Sequence, residues 1–182
     1  MPDLRLLYES QITPQLDAAL ADLICLANPH EREIFRLHGR GWHGVKPLYC
    51  TFIEFNSQPI AYVGIADRTI RVGPENCLLR IAGPQNVSVH PNYRGQALSI
   101  SALAHAMGEA QKLHFDAGLL FCSANLQRLY SKTGWLTLPN IPITRTQDNQ
   151  DLPLPEHNIA MFLPLQTKTF PPGPIHLQGN DW

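Results

Sequence analysis

Hydrophobic residues along this chain alternate with polar ones in some segments and recur every three or four positions in others. Alternating or continuous apolar runs predict strands over 4–8, 48–55, 60–66, 117–122 and 159–165. A further strand over 78–81 and 86–89 is predicted to be interrupted at Gly83-Pro84, and residues 69–72 and 135–138 add short extended pieces. Helical spacing predicts helices over 14–26, 98–114 and 125–132.

Turn and capping residues separate these segments. Thr13 before Pro14 is a typical N-cap followed by a first helical position. Residues 56–59 and 73–76 have the composition of turns, and residues 28–46 are expected to form a loop or a short helix. Residues 139–155 are polar and rich in turn formers. The last segment, 166–182, contains three prolines and is expected to form a C-terminal arm with no core of its own.

The order of these elements indicates the fold class. Antiparallel-looking strands come first, and a strand–helix–strand–helix series follows them. This order predicts an α/β protein whose mixed, mostly antiparallel central sheet is flanked by helices. A chain of 182 residues is long enough to bury a sizeable core, and we expect a single domain over 1–182.

Charge and cysteine content exclude several classes of function. The formal net charge is -1, so no overall field favours nucleic acid or an anionic membrane. The four cysteines lie far apart in apolar surroundings, without the spacing of metal ligands, and are expected to be reduced, buried thiols. No metal site is predicted. The chain has no apolar signal core and no run of 18 apolar residues, so we expect a cytoplasmic protein.

One segment predicts an anion-binding site. The alternating run Val87–Val89 stops at His90-Pro91, a polar turn with Arg94-Gly95-Gln96 follows, and helical spacing begins at Leu98. The first turn of a helix leaves backbone N–H groups without partners, and the helix dipole places partial positive charge there. Such a strand, turn and helix can hold a phosphate without a lysine.

The same residues resemble the acyl-CoA signature of the GCN5-related N-acetyltransferase superfamily, Arg/Gln-x-x-Gly-x-Gly/Ala. Here it reads Arg94-Gly95-Gln96-Ala97-Leu98-Ser99, with small residues at the two positions where the family usually has glycine. Ala97 carries a Cβ and is expected to keep a negative φ. A second block at 123–135, with Leu129-Tyr130 and Gly134-Trp135, is similar to a later helix of the same superfamily. The resemblance implies this superfamily's fold, with an acyl-CoA, most simply acetyl-CoA, as co-substrate.

The resemblance also implies how the co-substrate is held. Backbone groups of the strand end would pair with the pantetheine arm, N–H groups of the turn would hold the pyrophosphate, and Arg94 would add charge. The implied cofactor-binding residues are Val87, Ser88, Val89, Arg94, Gly95, Gln96, Ala97, Leu98, Ser99 and Asn125. The competing interpretation is an ordinary strand-to-helix turn.

Three residues are candidates for the catalytic steps. Tyr130 matches the position whose hydroxyl protonates the leaving thiolate in relatives, against the alternative of a tyrosine that only packs. Gln85 stands where aminoglycoside-modifying relatives carry a glutamate base, and an amide cannot take a proton at neutral pH. Gln85 therefore orders a water, or His90 acts as the base, or the acceptor amine has a low pKa and needs little help.

The C-terminal half is similar to the aminoglycoside 2'-N-acetyltransferases in more detail. The similarity lies in the Leu-Tyr to Gly-Trp block, in Thr144-Arg145-Thr146, and in the Gly179-to-Trp182 ending. It implies an acceptor site that includes Phe121, Asp148, Asn149, Asn180, Asp181 and Trp182. Phe121, Asn149 and Asn180 stand where that family tends to have serine or aspartate, which favours a less cationic acceptor such as an amino sugar or a small apolar amine.

These observations predict an N-acetyltransferase that acts by direct attack in a ternary complex on a primary amine of a small molecule such as an amino sugar or an aminoglycoside. A peptide or protein N-terminus stays open as an acceptor. The nodulation acyltransferases, which attach fatty acyl groups to a sugar amine, are a more distant resemblance, and a long-chain N-acyltransferase is the second interpretation. A catalytically weak acyl-CoA-binding or regulatory protein is the third. Nucleic acid and membrane are not expected as partners, and homodimerisation, which is common among relatives, stays open.

Overall fold

The computed structural model describes residues 1–41, 45–154 and 158–182, except for the side chains of residues 34 and 38. The chain forms two compact units. The first contains residues 1–66, 84–109 and 182, and the second contains residues 67–83 and 110–181. Strands β3 (Gln58–Val72) and β4 (Cys77–Val89) and helix α3 (Leu98–Lys112) each contribute residues to both units. The prediction of a single domain stays a prediction.

In the first unit, four strands follow one another in the order β1–β2–β3–β4. Strands β1 (Asp3–Tyr8) and β2 (Tyr49–Phe55) pair antiparallel, with Tyr8 opposite Tyr49. Strand β2 also pairs antiparallel with β3. The first five residues of β2 are all buried, which is typical of a strand covered on both faces.

Two helices pack on this sheet. Helix α1 (Pro14–Ala27) begins as predicted, because Thr13 Oγ1 accepts a hydrogen bond from Leu16 N at 3.3 Å. Helix α2 (Arg32–His38) lies in the segment predicted as a loop or short helix, whose residues 42–44 lie outside the described residues. One core cluster joins both helices to β2 and β3: Leu20, Leu23, Ile24, Phe35, Cys50, Phe52 and Tyr62.

The second unit contains a sheet in the order β6-β9-β5-β4-β3-β10-β7-β8. Its further elements are β5 (Ala117–Cys122), α4 (Ala124–Ser131), β6 (Leu136–Thr137), β7 (Ile143–Gln147), β8 (Gln150–Pro153), β9 (Ile159–Pro164) and β10 (Ile175–His176). Strand β4 pairs parallel with β5, and β10 pairs parallel with β7, whereas β9 is antiparallel to both β5 and β6. The predicted α/β class, with a mixed and mostly antiparallel sheet flanked by helices, is confirmed.

Two strand boundaries differ from the sequence prediction. Strand β4 runs without a break through Gly83-Pro84, because the fixed φ of proline is compatible with extended backbone. The irregularity falls instead at Asn86, whose φ is 53°. The turn before β3 is also shorter than predicted, since only Asn56 and Ser57 have positive φ, and β3 begins at Gln58.

The C-terminal segment is not an arm without a core. Its residues Ile175 and His176 form β10, which pairs with β3 on one side and with β7 on the other. Ile175 and Leu177 are buried, so this short strand fills the middle of the sheet of the second unit. The turn-rich segment 139–155 also contains more structure than predicted, because its residues form the β7–β8 hairpin; residue 155 lies outside the described residues.

The cysteines are free thiols, as predicted, but they are not all buried. Cys50 and Cys122 are buried, Cys25 is partly covered and Cys77 is exposed. Burial raises the pKa of the Cys50 thiol to about 12, so this side chain is uncharged. No helix among the described residues is both long and apolar enough to cross a membrane.

A charge cluster around a buried arginine joins the elements of the first unit. Arg40, which is 4% exposed, donates from Nη2 to both Glu9 carboxylate oxygens at 2.8 and 2.9 Å and from Nε to Asp17 Oδ1 at 2.5 Å. Its Nη1 donates to the hydroxyl of Tyr62 at 3.2 Å. Burial by itself lowers the pKa of Arg40, but the contacts with Tyr62, Asp17 and Glu9 outweigh it and leave the pKa raised.

We expect removal of the two acids to cost more than removal of the cation. The double variant Glu9→Gln, Asp17→Asn leaves a buried guanidinium without a counter-charge, which costs about 3–5 kcal/mol of unfolding free energy. Arg40→Met leaves two carboxylates that are 37% and 52% exposed and can be hydrated, so the loss is about 2 kcal/mol. Urea unfolding measures both losses. The control Arg36→Met removes one partner of an exposed ion pair and should stay within about 0.5 kcal/mol of the wild type. Equal losses for the two main variants would contradict this account.

Candidate functional site

The strand, turn and helix of the predicted anion cradle are present in the first unit. Strand β4 ends at Val89, a single 3-10 turn spans Pro91–Tyr93, and helix α3 begins at Leu98. The first hydrogen bond of the helix runs from Ser101 N to Ala97 O at 3.1 Å. The N–H groups of Leu98, Ser99 and Ile100 precede that bond, so they are the groups that a helix N-terminus offers to an anion.

The turn that leads into α3 uses two residues with positive φ. Gly95 has a φ of 82° and Ala97 has a φ of 57°. The expectation that Ala97 keeps a negative φ is therefore wrong. In the left-handed conformation a Cβ crowds the following carbonyl, which costs about 1–2 kcal/mol for a residue other than glycine. The chain tolerates this strain at the position where the backbone turns into the helix.

Two side chains fasten this cradle to helix α1. Ser88 is buried on β4, and its Oγ accepts a hydrogen bond from Asn28 Nδ2 at 3.0 Å. Arg94 Nη2 donates to the carbonyl of Ala27 at 2.8 Å. Arg94, predicted to add charge for the pyrophosphate, is thus engaged with the last residue of α1. Val87 and Val89 are partly exposed.

Gln85 is held by the backbone. It is 2% exposed on β4, and its Nε2 donates to the carbonyl of Val45 at 3.1 Å. The next residue, Asn86, donates from Nδ2 to the carbonyl of Arg40 at 2.7 Å. Together these bonds attach β4 to the chain that precedes β2. Gln85 is an amide, and its nitrogen faces a carbonyl.

His90 closes the turn after β4. Its Nδ1 accepts a hydrogen bond from Asn92 N at 3.2 Å, and its ring contacts the edge of Tyr93 with ring centroids 5.4 Å apart. In neutral imidazole one nitrogen accepts while the other carries the proton, so this bond places the proton on Nε2. The structure thus assigns His90 a capping contact, and a role as general base stays a prediction.

Tyr130 and Asn125 lie on α4 in the second unit. Tyr130 is 8% exposed, and its ring lies 6.4 Å from that of Trp135 in an edge-to-face arrangement. Burial, with a smaller effect of Cys122, raises the pKa of Tyr130 to about 12. The hydroxyl therefore keeps its proton at neutral pH, as a proton donor must. Asn125 Oδ1 accepts a hydrogen bond from Ser123 Oγ at the start of the helix.

The predicted acceptor residues have contacts of their own. Asp148 and Asn149, with φ values of 52° and 60°, form the two-residue turn of the β7–β8 hairpin. Asp181 accepts a hydrogen bond from Arg145 at 2.5 Å in a partly buried ion pair. Phe121 on β5 is half-buried, Asn180 is partly exposed and Trp182 is buried. Hairpin geometry and one ion pair thus account for Asp148, Asn149 and Asp181, and a role in acceptor binding stays a prediction.

Sequence reasoning missed the residues that act through side-chain contacts over long separations. Asn28, Arg40 and Asn86 each bond to a distant segment, and their neighbours in sequence form no motif that predicts it. The one available signal was the residue type of Asn86, because asparagine tolerates the left-handed conformation better than most residues.

Solved structures place the chain in one fold class. An ElaA protein from Escherichia coli superposes with a TM-score of 0.64 at 17% identity, over 90% of this chain and 99% of that one. An acyl-CoA N-acyltransferase from Pseudomonas aeruginosa gives 0.63 at 18% identity, over 90% and 99%. The YhbS protein from Escherichia coli, a GNAT family N-acetyltransferase in complex with CoA, gives 0.63 at 14%, over 97% and 89%. The fold is that of the GNAT N-acyltransferases.

A family model assigns the chain to a narrower group of proteins than the fold does. The family model of nodulation protein A (NodA) matches residues 3–178, and the chain belongs to this family. A comparison with curated proteins finds no match. The resemblance that the sequence suggested as more distant is thus the one that the family model supports, and these comparisons do not support a particular closeness to the aminoglycoside 2'-N-acetyltransferases.

We expect Ala97→Gly to stabilise the protein. Relief of the left-handed strain is worth about 1–2 kcal/mol, and the extra freedom of glycine in the unfolded chain returns about 0.5–1 kcal/mol of it. The net gain in unfolding free energy is therefore about 0.5–1 kcal/mol by urea titration. The control Ala97→Val places a β-branched side chain at the same φ, so it should lose at least as much unfolding free energy as Ala97→Gly gains. A glycine variant less stable than the wild type would contradict the strain at Ala97.

Alkaline pH should weaken folding through Tyr130. Its pKa is about 12 when folded against 10.0 for the ordinary side chain, so between these values the unfolded chain loses its proton first. Stability then falls as pH rises, by about 2 kcal/mol for this residue between pH 9 and 11.5. Urea unfolding at both pH values should show a smaller fall in Tyr130→Phe, and equal falls in both proteins would contradict the raised pKa.

Proposed function

We propose that this protein transfers an acyl group from acyl-CoA, most simply acetyl-CoA, to a primary amine of a small molecule such as an amino sugar. The observation that carries the proposal is the cradle formed by the end of β4, the left-handed turn at Gly95 and Ala97, and the first turn of α3. Membership in the nodulation protein A family and the N-acyltransferase fold support the same reaction.

The nucleotide part of the co-substrate is assigned to the cradle. Backbone N–H groups between Gly95 and Ser99 would hold the pyrophosphate, since the N–H groups of Leu98 and Ser99 precede the first internal bond of the helix. Backbone groups of Val87–Val89 would pair with the amide groups of the pantetheine arm as an added strand. Asn125 stays a candidate contact in the second unit.

The chemical step needs no covalent enzyme intermediate. The amine nitrogen attacks the thioester carbonyl, a C–N bond forms, and the C–S bond breaks with its electron pair left on sulfur. In the proposal, the Tyr130 hydroxyl gives its proton to that thiolate and is reprotonated from solvent. The proton of the attacking amine goes to water, because Gln85 is an amide and the Nδ1 of His90 is engaged with Asn92.

A long-chain N-acyltransferase is the second candidate function. The family match over residues 3–178 favours it. An enzyme of the nodulation type would take a fatty acyl donor and a sugar amine acceptor. The two candidates share the cradle and the attack on the thioester. They differ in the length of the acyl chain, which substrate competition can measure directly.

Release of free thiol from a series of acyl-CoA esters, from acetyl to palmitoyl, decides between these functions. The acceptors are glucosamine, tobramycin and a dipeptide, each compared with a reaction that lacks amine. Turnover with glucosamine supports the proposal, and the preferred chain length selects the first or second candidate. Tobramycin as the best acceptor would overturn the choice of a weakly cationic amine. Binding of CoA without turnover would favour a catalytically weak acyl-CoA-binding protein.

Tyr130→Phe tests the proton donor. We expect kcat to fall about 100-fold while KM for the acyl-CoA changes little, because only the transition state loses a proton donor. Circular dichroism checks that the variant is folded. An unchanged kcat would leave Tyr130 with a packing role only.

His90→Asn tests the alternative base with the turn preserved. Asparagine can accept the bond from Asn92 N but does not titrate near neutral pH. We expect kcat within about threefold of the wild type and an unchanged pH profile. Loss of the acidic limb of the pH–rate profile would identify His90 as the base instead.

A further inference from the structure

The first residue of the cradle signature holds the end of another helix. The guanidinium of Arg94 donates to the carbonyl of Ala27, the last residue of α1, at 2.8 Å. Carbonyls in the last turn of a helix have no partners within the helix, and the helix dipole is negative there. A cation at this position stabilises the helix end, and the same contact fixes where the arginine side chain lies.

A second residue ties the same helix end to β4. Asn28, the C-cap of α1, donates from Nδ2 to Ile24 O and to Ser88 Oγ, each at 3.0 Å. Its backbone N–H also donates to Ile24 O at 3.0 Å. The end of α1 is thus fixed to the strand that precedes the cradle and to the turn that forms it.

The cradle turn itself has little to hold it. Residues 94–97 are exposed, and a Cβ placed on Gly95 would meet no atom within 4 Å. Two residues of this turn have φ values of 82° and 57°, and the second of them is an alanine. Since a strained turn persists only when its surroundings fix it, the attachments at its two ends decide its shape. Helix α3 is one attachment and Arg94 is the other.

We propose that Arg94 is a positioning residue of the cradle and not a phosphate ligand. Its bond to Ala27 holds the turn in the conformation that presents the backbone N–H groups between Gly95 and Ser99, and these N–H groups, without the guanidinium, bind the pyrophosphate. This inference rests on the acyl-CoA site of the proposed function and assigns one residue of that site a different task from the one that the signature implies.

The two tasks have different physical signatures. An arginine that pairs with a phosphate adds an ionic contact, so its loss makes CoA affinity less sensitive to salt. A positioning arginine leaves that sensitivity unchanged. It also shares its task with Asn28, so the factors by which Arg94→Met and Asn28→Ala raise the Kd of CoA should not multiply in the double variant.

The experiment measures the Kd of CoA by calorimetry in roughly 50 and 300 mM salt for the wild type, Arg94→Met, Asn28→Ala and the double variant. Arg36→Met, which removes a charge from an exposed pair on α2, is the matched control. We expect Arg94→Met and Asn28→Ala each to weaken binding about tenfold, and the double variant to be much less than a hundredfold weaker. The ratio of the Kd values at the two salt concentrations should stay that of the wild type.

Hydrogen exchange gives a readout without any ligand. In the free protein, Arg94→Met should speed exchange of the Asn28 N–H about tenfold, while thermal unfolding stays cooperative. Two results would overturn the positioning role and leave the proposed function intact. One is an Asn28 N–H that exchanges in Arg94→Met at the wild-type rate. The other is a reduced salt effect on CoA binding by Arg94→Met together with normal CoA binding by Asn28→Ala. A wild-type protein that binds no CoA would overturn the acyl-CoA site and this inference together.

Discussion

The pairing of Arg40 with Glu9 and Asp17 is the constraint on which the first unit depends. A guanidinium that is 4% exposed is tolerated only where its charge is matched and its N–H groups are bonded. The matching groups come from the turn after β1, from α1 and from β3, and Asn86 of β4 binds the carbonyl of the same residue. These elements must therefore be in place together, so the cluster specifies an arrangement more than it supplies a large net stability.

Much of the fold could be predicted from the sequence because it depends on local patterns. The limits of α1, the helix from Leu98 and the strand over 117–122 follow from apolar spacing, from Thr13-Pro14 and from flanking turns. The errors fall where a local signal had two physical outcomes. Proline can interrupt a strand, but its φ also fits extended backbone, and Pro84 lies within β4. The prolines of residues 166–182 likewise do not prevent Ile175 from lying at the centre of a sheet.

The candidate site divides in the same way. The cradle is local in sequence, so its strand, turn and helix were predictable, whereas the conformation of Ala97 was not, since only the tertiary structure shows which strain is tolerated. The tasks of Gln85 and Arg94 depend on the carbonyls of Val45 and Ala27, far away in sequence. No motif records a bond to a distant backbone carbonyl. The position of a residue in a motif therefore does not identify the partner of its side chain.

The insertion of β10 between β3 and β7 has a consequence for how the chain is made. The β7–β8 hairpin joins the sheet of the second unit through β10, and β10 consists of Ile175 and His176. These two residues follow the hairpin in the sequence, and folding during synthesis proceeds from the N-terminal end. The hairpin can therefore form before β10 has been made, and it joins the sheet of the second unit through β10 only after residues 175 and 176 have followed.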